Sequence, residues 1–443
     1  MKNIFKRLLN VKGMVVEDVS IDDSPLRDAP VLVARVRCRK AALRCSRCGR
    51  KCPKYDDGGG ERRWLHQDFG CYRVELVGPA PRVECRVHGV VVSRVPWAEP
   101  GSRFTRDFEL ECTWLMTVAN RKTVSGFLHV AWRTAGDIAG RVAGRLESGM
   151  PCMFDGLTAI GVDETSHRKG HTYITVVVDH ERKRVIWAHD GYGKQVLDLF
   201  FEELTPEQRA SIRIVTGDGT RWIDSSVAGY CPNAERVPDS FHIVSWMTDC
   251  LDRVRKRLWN QARRAKDKTA AEAMKGLKYA VLRNPGDLAE RQSTALATLA
   301  GVDPKGQLYR SWQLKELLRT LLHQPAGQAG GGKLKRWINW ASHSRIPEIV
   351  ELCRKIRRRR DDILKTIRPG HSNARLEAFN NRIKVTIRMA YGFHHVDNLI
   401  AMIKLRCSGL PIRLPVPVLY PRKQQKPHFF IASTCSSTDM DAV

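Results

Sequence analysis

Ala159-Ile160-Gly161-Val162-Asp163-Glu164 is a short apolar run that closes on a carboxylate, and Ile212-Arg213-Ile214-Val215-Thr216-Gly217-Asp218 does the same further along. β-Branched runs bounded by glycine and acids read as strands. Each strand then delivers an aspartate to its carboxyl end, the edge at which open α/β sheets assemble their sites. Side by side, two such strands let Asp163 and Asp218 bridge one divalent cation, because hard ions take carboxylate oxygens.

The chain between them supplies the rest of a sheet. Thr158 to Val162 is a strand, and Tyr173 to Val178 with Arg184 to Ala188 form a hairpin around the polar turn Asp179-His180-Glu181-Arg182-Lys183. A helix over Gln195 to Leu204 follows, with Val196, Leu199, Phe200 and Leu204 on one face. Three strands, a helix and a further strand are the order of an RNase H-like core, so the fold class is α/β.

A third acid comes much later, in Ser372-Asn373-Ala374-Arg375-Leu376-Glu377-Ala378-Phe379-Asn380-Asn381. Helical spacing makes Leu376, Phe379, Ile383 and Ile387 a buried stripe, with Glu377, Asn381, Lys384 and Arg388 on a neighbouring polar face. The acid can then face metal while Lys384 and Arg388, with Asn381, either meet DNA phosphates or form an ordinary solvated helix face. Asp163, Asp218 and Glu377 together suit two cations about 3.5 to 4 Å apart, one activating water or a 3′-hydroxyl and the other stabilising the leaving oxygen. Mg²⁺ fits oxygen ligands, and Mn²⁺ can substitute. Singly, an aspartate at a strand end caps a turn and a helical glutamate faces water; the three in this order point to phosphoryl transfer. Asp239 and His242, after the strand-like Ala234 to Val237, are secondary candidates: they either approach the scissile phosphate or cap the next helix.

Upstream, Pro30 to Val95 carries short β-runs (Val31 to Val36, Tyr72 to Val77, Val90 to Val95) and two knuckles, Cys45-Ser-Arg-Cys48 and Cys85-Arg-Val-His88. Four N/S donors are what structural, tetrahedral Zn²⁺ requires, and Gly49 frees the turn after the first knuckle. Cys38, Cys52 and Cys71 offer competing thiols. Phe104 to Leu146 switches to helical period and reads as three short helices of a helix-turn-helix, with Thr134 as a cap and Arg133 as a DNA contact. Downstream, Val244 to Leu364 is helical and basic, broken by a flexible stretch from Pro325 to Gly332 and ending in Arg357-Arg358-Arg359-Arg360, a run expected to touch DNA backbone.

The expected organisation is therefore 1–100 a β-rich zinc finger, 101–150 a helix-turn-helix domain, 151–250 the first part of the core, 251–365 a helical insertion, 366–410 the core helix with Glu377, and 411–443 a basic, flexible tail. Lys+Arg 75 against Asp+Glu 47 gives a net charge of +28, which calls for a polyanionic partner such as double-stranded DNA. No uninterrupted apolar run of about 18 residues is present, which excludes a spanning helix. With no apolar leader and cleavage site near the start, the expected location is the cytoplasm, at the bacterial nucleoid.

Taken together, the finger, Trp97-Ala98-Glu99-Pro100-Gly101-Ser102-Arg103-Phe104-Thr105, Gly161-Val162-Asp163-Glu164, Asp239-Ser240-Phe241-His242-Ile243-Val244, and Asn373 through Lys384 followed by Arg388-Met389-Ala390-Tyr391-Gly392-Phe393 resemble the DDE transposases of bacterial insertion sequences of the ISL3 type. The resemblance covers most of the chain. It implies that Asp163, Asp218 and Glu377 are the catalytic triad, that the finger and helix-turn-helix recognise terminal inverted repeats, and that no cofactor beyond Mg²⁺ and Zn²⁺ is needed. Two transposon ends held together imply a homodimer or larger assembly on DNA, with the insertion as the expected interface. One departure is Thr216-Gly217-Asp218-Gly219-Thr220, where similar proteins carry a Ser-x-Asp-Met-like segment. The alternatives are a catalytically silent, transposase-derived DNA-binding regulator and a nuclease or resolvase on the same core.

Overall fold

Two units divide the chain, Met1–Val118 with Ile412–Val443 and Ala119–Pro411. The computed structural model describes residues 5, 8, 9, 11, 13–168, 170, 172–238, 240–322, 330–367 and 374–416.

In the first unit, β1 (Met14–Ser24) and β2 (Arg27–Cys38) form a long antiparallel hairpin. Together with β4 (Glu61–Phe69) and β5 (Tyr72–Pro79) they make a sheet of order β1-β2-β5-β4, in which β2 and β5 run parallel. Ala34, Val36, Trp64 and Leu76 fill its core with Trp97, whose ring meets Trp64 edge to face at 5.3 Å. A separate small sheet, β3 (Lys54–Asp56), β6 (Arg82–Cys85) and β7 (Gly89–Val92), carries the cysteine knuckles. The run expected from Val90 to Val95 stops at Val92, because Ser93 turns to bridge Cys45. Helix α1 (Arg106–Val118) buries Phe108, Cys112 and Met116, one stripe at four-residue spacing.

The second unit opens with α2 (Arg121–Leu128) and α3 (Trp132–Ser148). The turn between them carries His129 in the left-handed region, at φ 55°. Asn120 caps α2 by accepting the Thr123 N–H at 2.9 Å. Thr134, expected as a cap, lies inside α3, whose N-cap is Ala131. The chain therefore divides within the stretch read as a helix-turn-helix, α1 lying in one unit and α2 and α3 in the other.

The central sheet has the order β10-β9-β8-β11-β12. Strands β8 (Ala159–Arg168), β9 (Thr172–Asp179) and β10 (Arg184–Asp190) are antiparallel, whereas β11 (Ile214–Gly217) and β12 (Glu235–Pro238) run parallel to β8. This is an RNase H-like core. Helices α4 (Lys194–Glu202), α5 (Pro206–Ser211) and α6 (Arg221–Tyr230) connect the strands. Two later helices close the fold: α16 (Ala374–Met389) packs on β8, and α17 (Val396–Cys407) packs on β10 and α3. Close approach of α3 to α17 depends on Gly136, where a Cβ would stand 3.0 Å from Asn398 Nδ2.

Between β12 and α16 lies the helical insertion: α7 (Ser240–Arg264), α8 (Lys268–Gly276), α9 (Lys278–Leu282), α10 (Glu290–Ala297), α11 (Leu299–Val302), α12 (Gln307–Leu322), α13 (Gly330–Ser342), α14 (Pro347–Arg358) and α15 (Arg360–Ile367). It has its own interior, with Met247, Leu251 and Val254 of α7 packed among Leu314, Leu318, Trp337, Leu352 and Ile356. Gly330 to Gly332, expected in a flexible stretch, begin α13, where Leu334 and Trp337 draw the first turns into that interior.

Candidate active site and metal centre

Pairing of β11 with β8 runs Ile214↔Ala159, Val215↔Ile160 and Thr216↔Gly161. Asp163, within β8, and Asp218, the first residue after β11, each lie two residues beyond the last of these pairs, so they leave the parallel ladder at equivalent positions on chains about 4.8 Å apart. Asp163 does not terminate its strand as expected. β8 continues to Arg168 because β9 keeps pairing with it, Asp163 opposite Val176 and Thr165 opposite Ile174. The end of the parallel ladder, rather than the end of the strand, makes this sheet edge.

Both aspartates are half-buried and held. Asp218 Oδ1 accepts the Thr220 N–H at 3.0 Å and the Thr220 hydroxyl at 2.6 Å, an Asx turn that fixes the carboxylate at the start of α6. Asp163 Oδ1 accepts the Glu164 N–H at 2.8 Å, and its Oδ2 accepts the Asn380 side-chain amide. Asn380 Oδ1 in turn accepts the Thr165 hydroxyl at 2.8 Å. Residues 163 and 165 share a strand face, so one amide from α16 straps both. Glu377 belongs to α16, one turn before Asn380; its side chain lies outside the described residues.

Two residues in this neighbourhood had no sequence signal. Arg236 of β12 donates to the carbonyls of Asp218, Gly217 (3.4 Å) and Val237 (2.9 Å), and its Nε lies 3.1 Å from Asp224 Oδ1. It clamps the backbone that presents Asp218. Gly217 allows β11 to lie against β8, since a Cβ there would stand 2.9 Å from the Val162 carbonyl oxygen. Asn380 was inside the stretch that marks the helix, but only the contact with Asp163 singles it out from Asn381.

Glu164 accepts the N–H of Gly193, the cap of α4, at 3.0 Å. Burial, and behind it the charges of Asp218 and Asp163, hold its carboxyl above the usual glutamate range against that hydrogen bond. Asp239 and the side chain of His242 lie outside the described residues; the backbone of His242 is in α7. Arg133, Asn381, Lys384 and Arg388 are all exposed, Arg133 on α3 and the others on α16.

Among the described residues, Cys45, Cys48, Cys85 and His88 are the one group of three or more metal-ligating side chains whose donors converge, all within 4.8 Å of one another. Cys45 Sγ to His88 Nδ1 is 3.6 Å, Cys48 Sγ to Cys85 Sγ 3.8 Å and Cys85 Sγ to His88 Nδ1 3.7 Å. A tetrahedron with Zn–S near 2.3 Å has edges of about 3.8 Å, so the donor set has the size of a zinc site. Both knuckles end on a left-handed glycine, Gly49 at φ 70° and Gly89 at φ 64°. The Val87 N–H, then His88, push the Cys85 thiol down to about 6. Of the competing thiols, Cys38 is pushed up to about 12 by burial.

Family models match along the chain: a zinc finger of the transposases IS204/IS1001/IS1096/IS1165 over residues 42–88, a helix-turn-helix domain of transposase family ISL3 over 93–143, and the ISL3 transposase domain over 160–403. The transposase for insertion sequence element IS1557 of Mycobacterium tuberculosis is 40% identical over 438 residues, 94% of this chain and 98% of the relative. The transposase for insertion sequence element IS1001 of Bordetella parapertussis is 26% identical over 411 residues, 92% of this chain and 98% of the relative.

Proposed function

Since this chain belongs to the ISL3 family of transposases, we propose that it binds the terminal inverted repeats of an insertion sequence and cuts and joins DNA strands through Asp163, Asp218 and Glu377. The observation that carries this reading is that Asp163 on β8 and Asp218 just past β11 leave the parallel ladder at equivalent positions, with the helix of Glu377 strapped to Asp163 by Asn380.

Asp163, Asp218 and Glu377 would together hold two Mg²⁺ ions, with Mn²⁺ as a substitute. Bound there, the metals supply a more acidic attacking hydroxyl and charge stabilisation at the leaving oxygen. The protein's own residues orient the acids: Thr220 fixes one oxygen of Asp218, Arg236 fixes its backbone, and Asn380 fixes Asp163. Water attack at the transposon end would break a P–O3′ bond and free a 3′-hydroxyl, and in-line attack by that hydroxyl on a target phosphate would form the new ester as the target's own 3′-oxygen leaves. Asp239 and His242 remain secondary positions for this site.

Cys45, Cys48, Cys85 and His88 would hold structural Zn²⁺, a reading supported by the size and chemistry of the donor set. Arg133, Asn381, Lys384 and Arg388 are proposed DNA contacts, supported by their exposure and their place on α3 and α16. Synapsis of two ends calls for a homodimer or larger assembly on DNA, in the cytoplasm at the nucleoid. No helix among the described residues is long and apolar enough to cross a membrane.

Purified protein and Asp163→Ala, with Mg²⁺ or EDTA, are incubated with labelled DNA bearing the element's ends and an acceptor plasmid. Cleavage and joining by the unmodified protein alone, and only with metal, supports the proposal. Binding without chemistry by either protein favours a DNA-binding regulator.

A further inference from the structure

The insertion meets the core at an open pocket of about 520 Å³ beside Asp218, walled by Gly219, Thr220, Arg221, Asp224, Trp246, Lys355, Arg358, Arg359 and Asp362. Its acids and its cations are unevenly matched. Of its three acids, Asp224 lies 3.1 Å from Arg236 and 3.7 Å from Arg359, and Asp362 lies 3.7 Å from Arg359, so these two are drawn toward those guanidinium groups, while Asp218 is held by Thr220. Among the described residues no carboxylate pairs with Lys355, Arg358 or Arg221. Three cations without an ion-pair partner therefore line the pocket together with Asp218, and the charge of Asp249 offsets Lys355 only in part.

Lys355 is also fixed in place. Its Nζ stands 3.6 Å from the centroid of the Trp246 ring, a cation–π contact that holds the ammonium without neutralising it. The far edge of the same ring lies against the loop after Asp218, where a Cβ on Gly219 would come within 3.2 Å of it. Trp246 thus spans from the Asp218 loop to Lys355. Partial burial and the charges of Arg359, Arg253 and Arg358 push the Lys355 ammonium down, as expected in an electropositive recess.

From this arrangement we infer that Lys355, Arg358 and Arg221 seat a backbone phosphate of the DNA strand being cut, next to the scissile phosphate, so that the insertion is part of the active site. The inference rests on the transposase reading, because a strand whose scissile phosphate lies at Asp218 carries a further phosphate on each side. Arg359, paired to Asp224 and Asp362, is a structural member of the wall. The run from Arg357 to Arg360 is thereby divided: Arg358 binds, Arg359 holds the wall, and Arg357 lies outside the pocket.

The test is a phosphate scan. End-bearing duplexes, each with one neutral methylphosphonate near the cleavage position, are bound by the full chain in Ca²⁺, and compared with Lys355→Ala/Arg358→Ala, with the milder Lys355→Gln, and with Arg357→Ala. The unmodified protein and Arg357→Ala should lose roughly tenfold in affinity at one position adjoining the scissile phosphate, while the pocket variants show no extra loss there. An equal loss at every position, or the same position-specific loss in the pocket variants, overturns the seat. Cleavage with Mg²⁺ is read in parallel: cleavage without a seat refutes this inference alone, and a seat without cleavage refutes the proposed chemistry alone.

Discussion

Asn380 shows how much a single amide can decide. It donates to Asp163 and accepts from Thr165, so removing it frees a carboxylate at the place where metal would bind. Asn380→Ala should lower cleavage roughly 10- to 100-fold and raise the Mg²⁺ concentration needed for half-maximal rate, with end binding unchanged. A normal Mg²⁺ dependence in a slowed variant would argue against the positioning role. His66 carries a different prediction. It is buried, hydrogen-bonded to Thr105 at 2.9 Å, and burial pushes it down to about 4 from an ordinary 6.5. Below pH 6.5 the unfolded chain takes the proton first, so stability is complete above that pH and falls as pH drops toward 4. The loss amounts to roughly 3 kcal/mol at most. His66→Gln should flatten this slope in urea titrations of the first unit at several pH values; an unchanged slope would rule the histidine out.

At the scale of elements, the site depends on how closely β11 lies against β8. Gly217 sets that spacing, and the Val162 carbonyl leaves no room for a methyl group. Gly217→Ala should destabilise the larger unit by roughly 1 to 3 kcal/mol and lower cleavage further than that loss accounts for, because Asp218 moves away from Asp163. Thermal melting and single-turnover cleavage measured side by side check this, and a variant that melts early but cuts normally would contradict it. Strand assignments in the core were legible because β-branched runs with polar turns have few other readings. The extent of β8 was not, since only pairing with β9 explains why Asp163, Glu164 and Arg168 stay extended.

Across the whole molecule, each unit has its own interior, and the zinc-sized cluster belongs to the smaller one. Stripping the metal with a strong chelator, or Cys45→Ser, should loosen residues 42–93 to proteolysis and weaken end binding, while the thermal transition of the larger unit stays in place. Loss of both transitions together would mean that the units do not fold independently. The helix-turn-helix stretch is a matter of this scale too. Periodicity identified its helices, yet α1 contributes to one unit, and α3 leans on α17 through Gly136 and a Lys404 to Glu147 ion pair at 2.8 Å.

By itself the sequence left β1, β4 and the helix after Asp218 unread, but it determined local facts: the strands of the central sheet, the helical character of the insertion, the two cysteine knuckles, the acids that close apolar runs, and the charge that calls for DNA. Each of these depends on neighbours along the chain, through periodicity, turn chemistry or ligand spacing. Tertiary structure alone decided that Asp163 and Asp218 stand level, that Asn380 rather than Asn381 reaches Asp163, that Arg236 clamps Asp218, and that Trp246 with Lys355 borders the same site. Those are contacts between residues far apart in the chain, fixed by register and packing, and no local pattern encodes them.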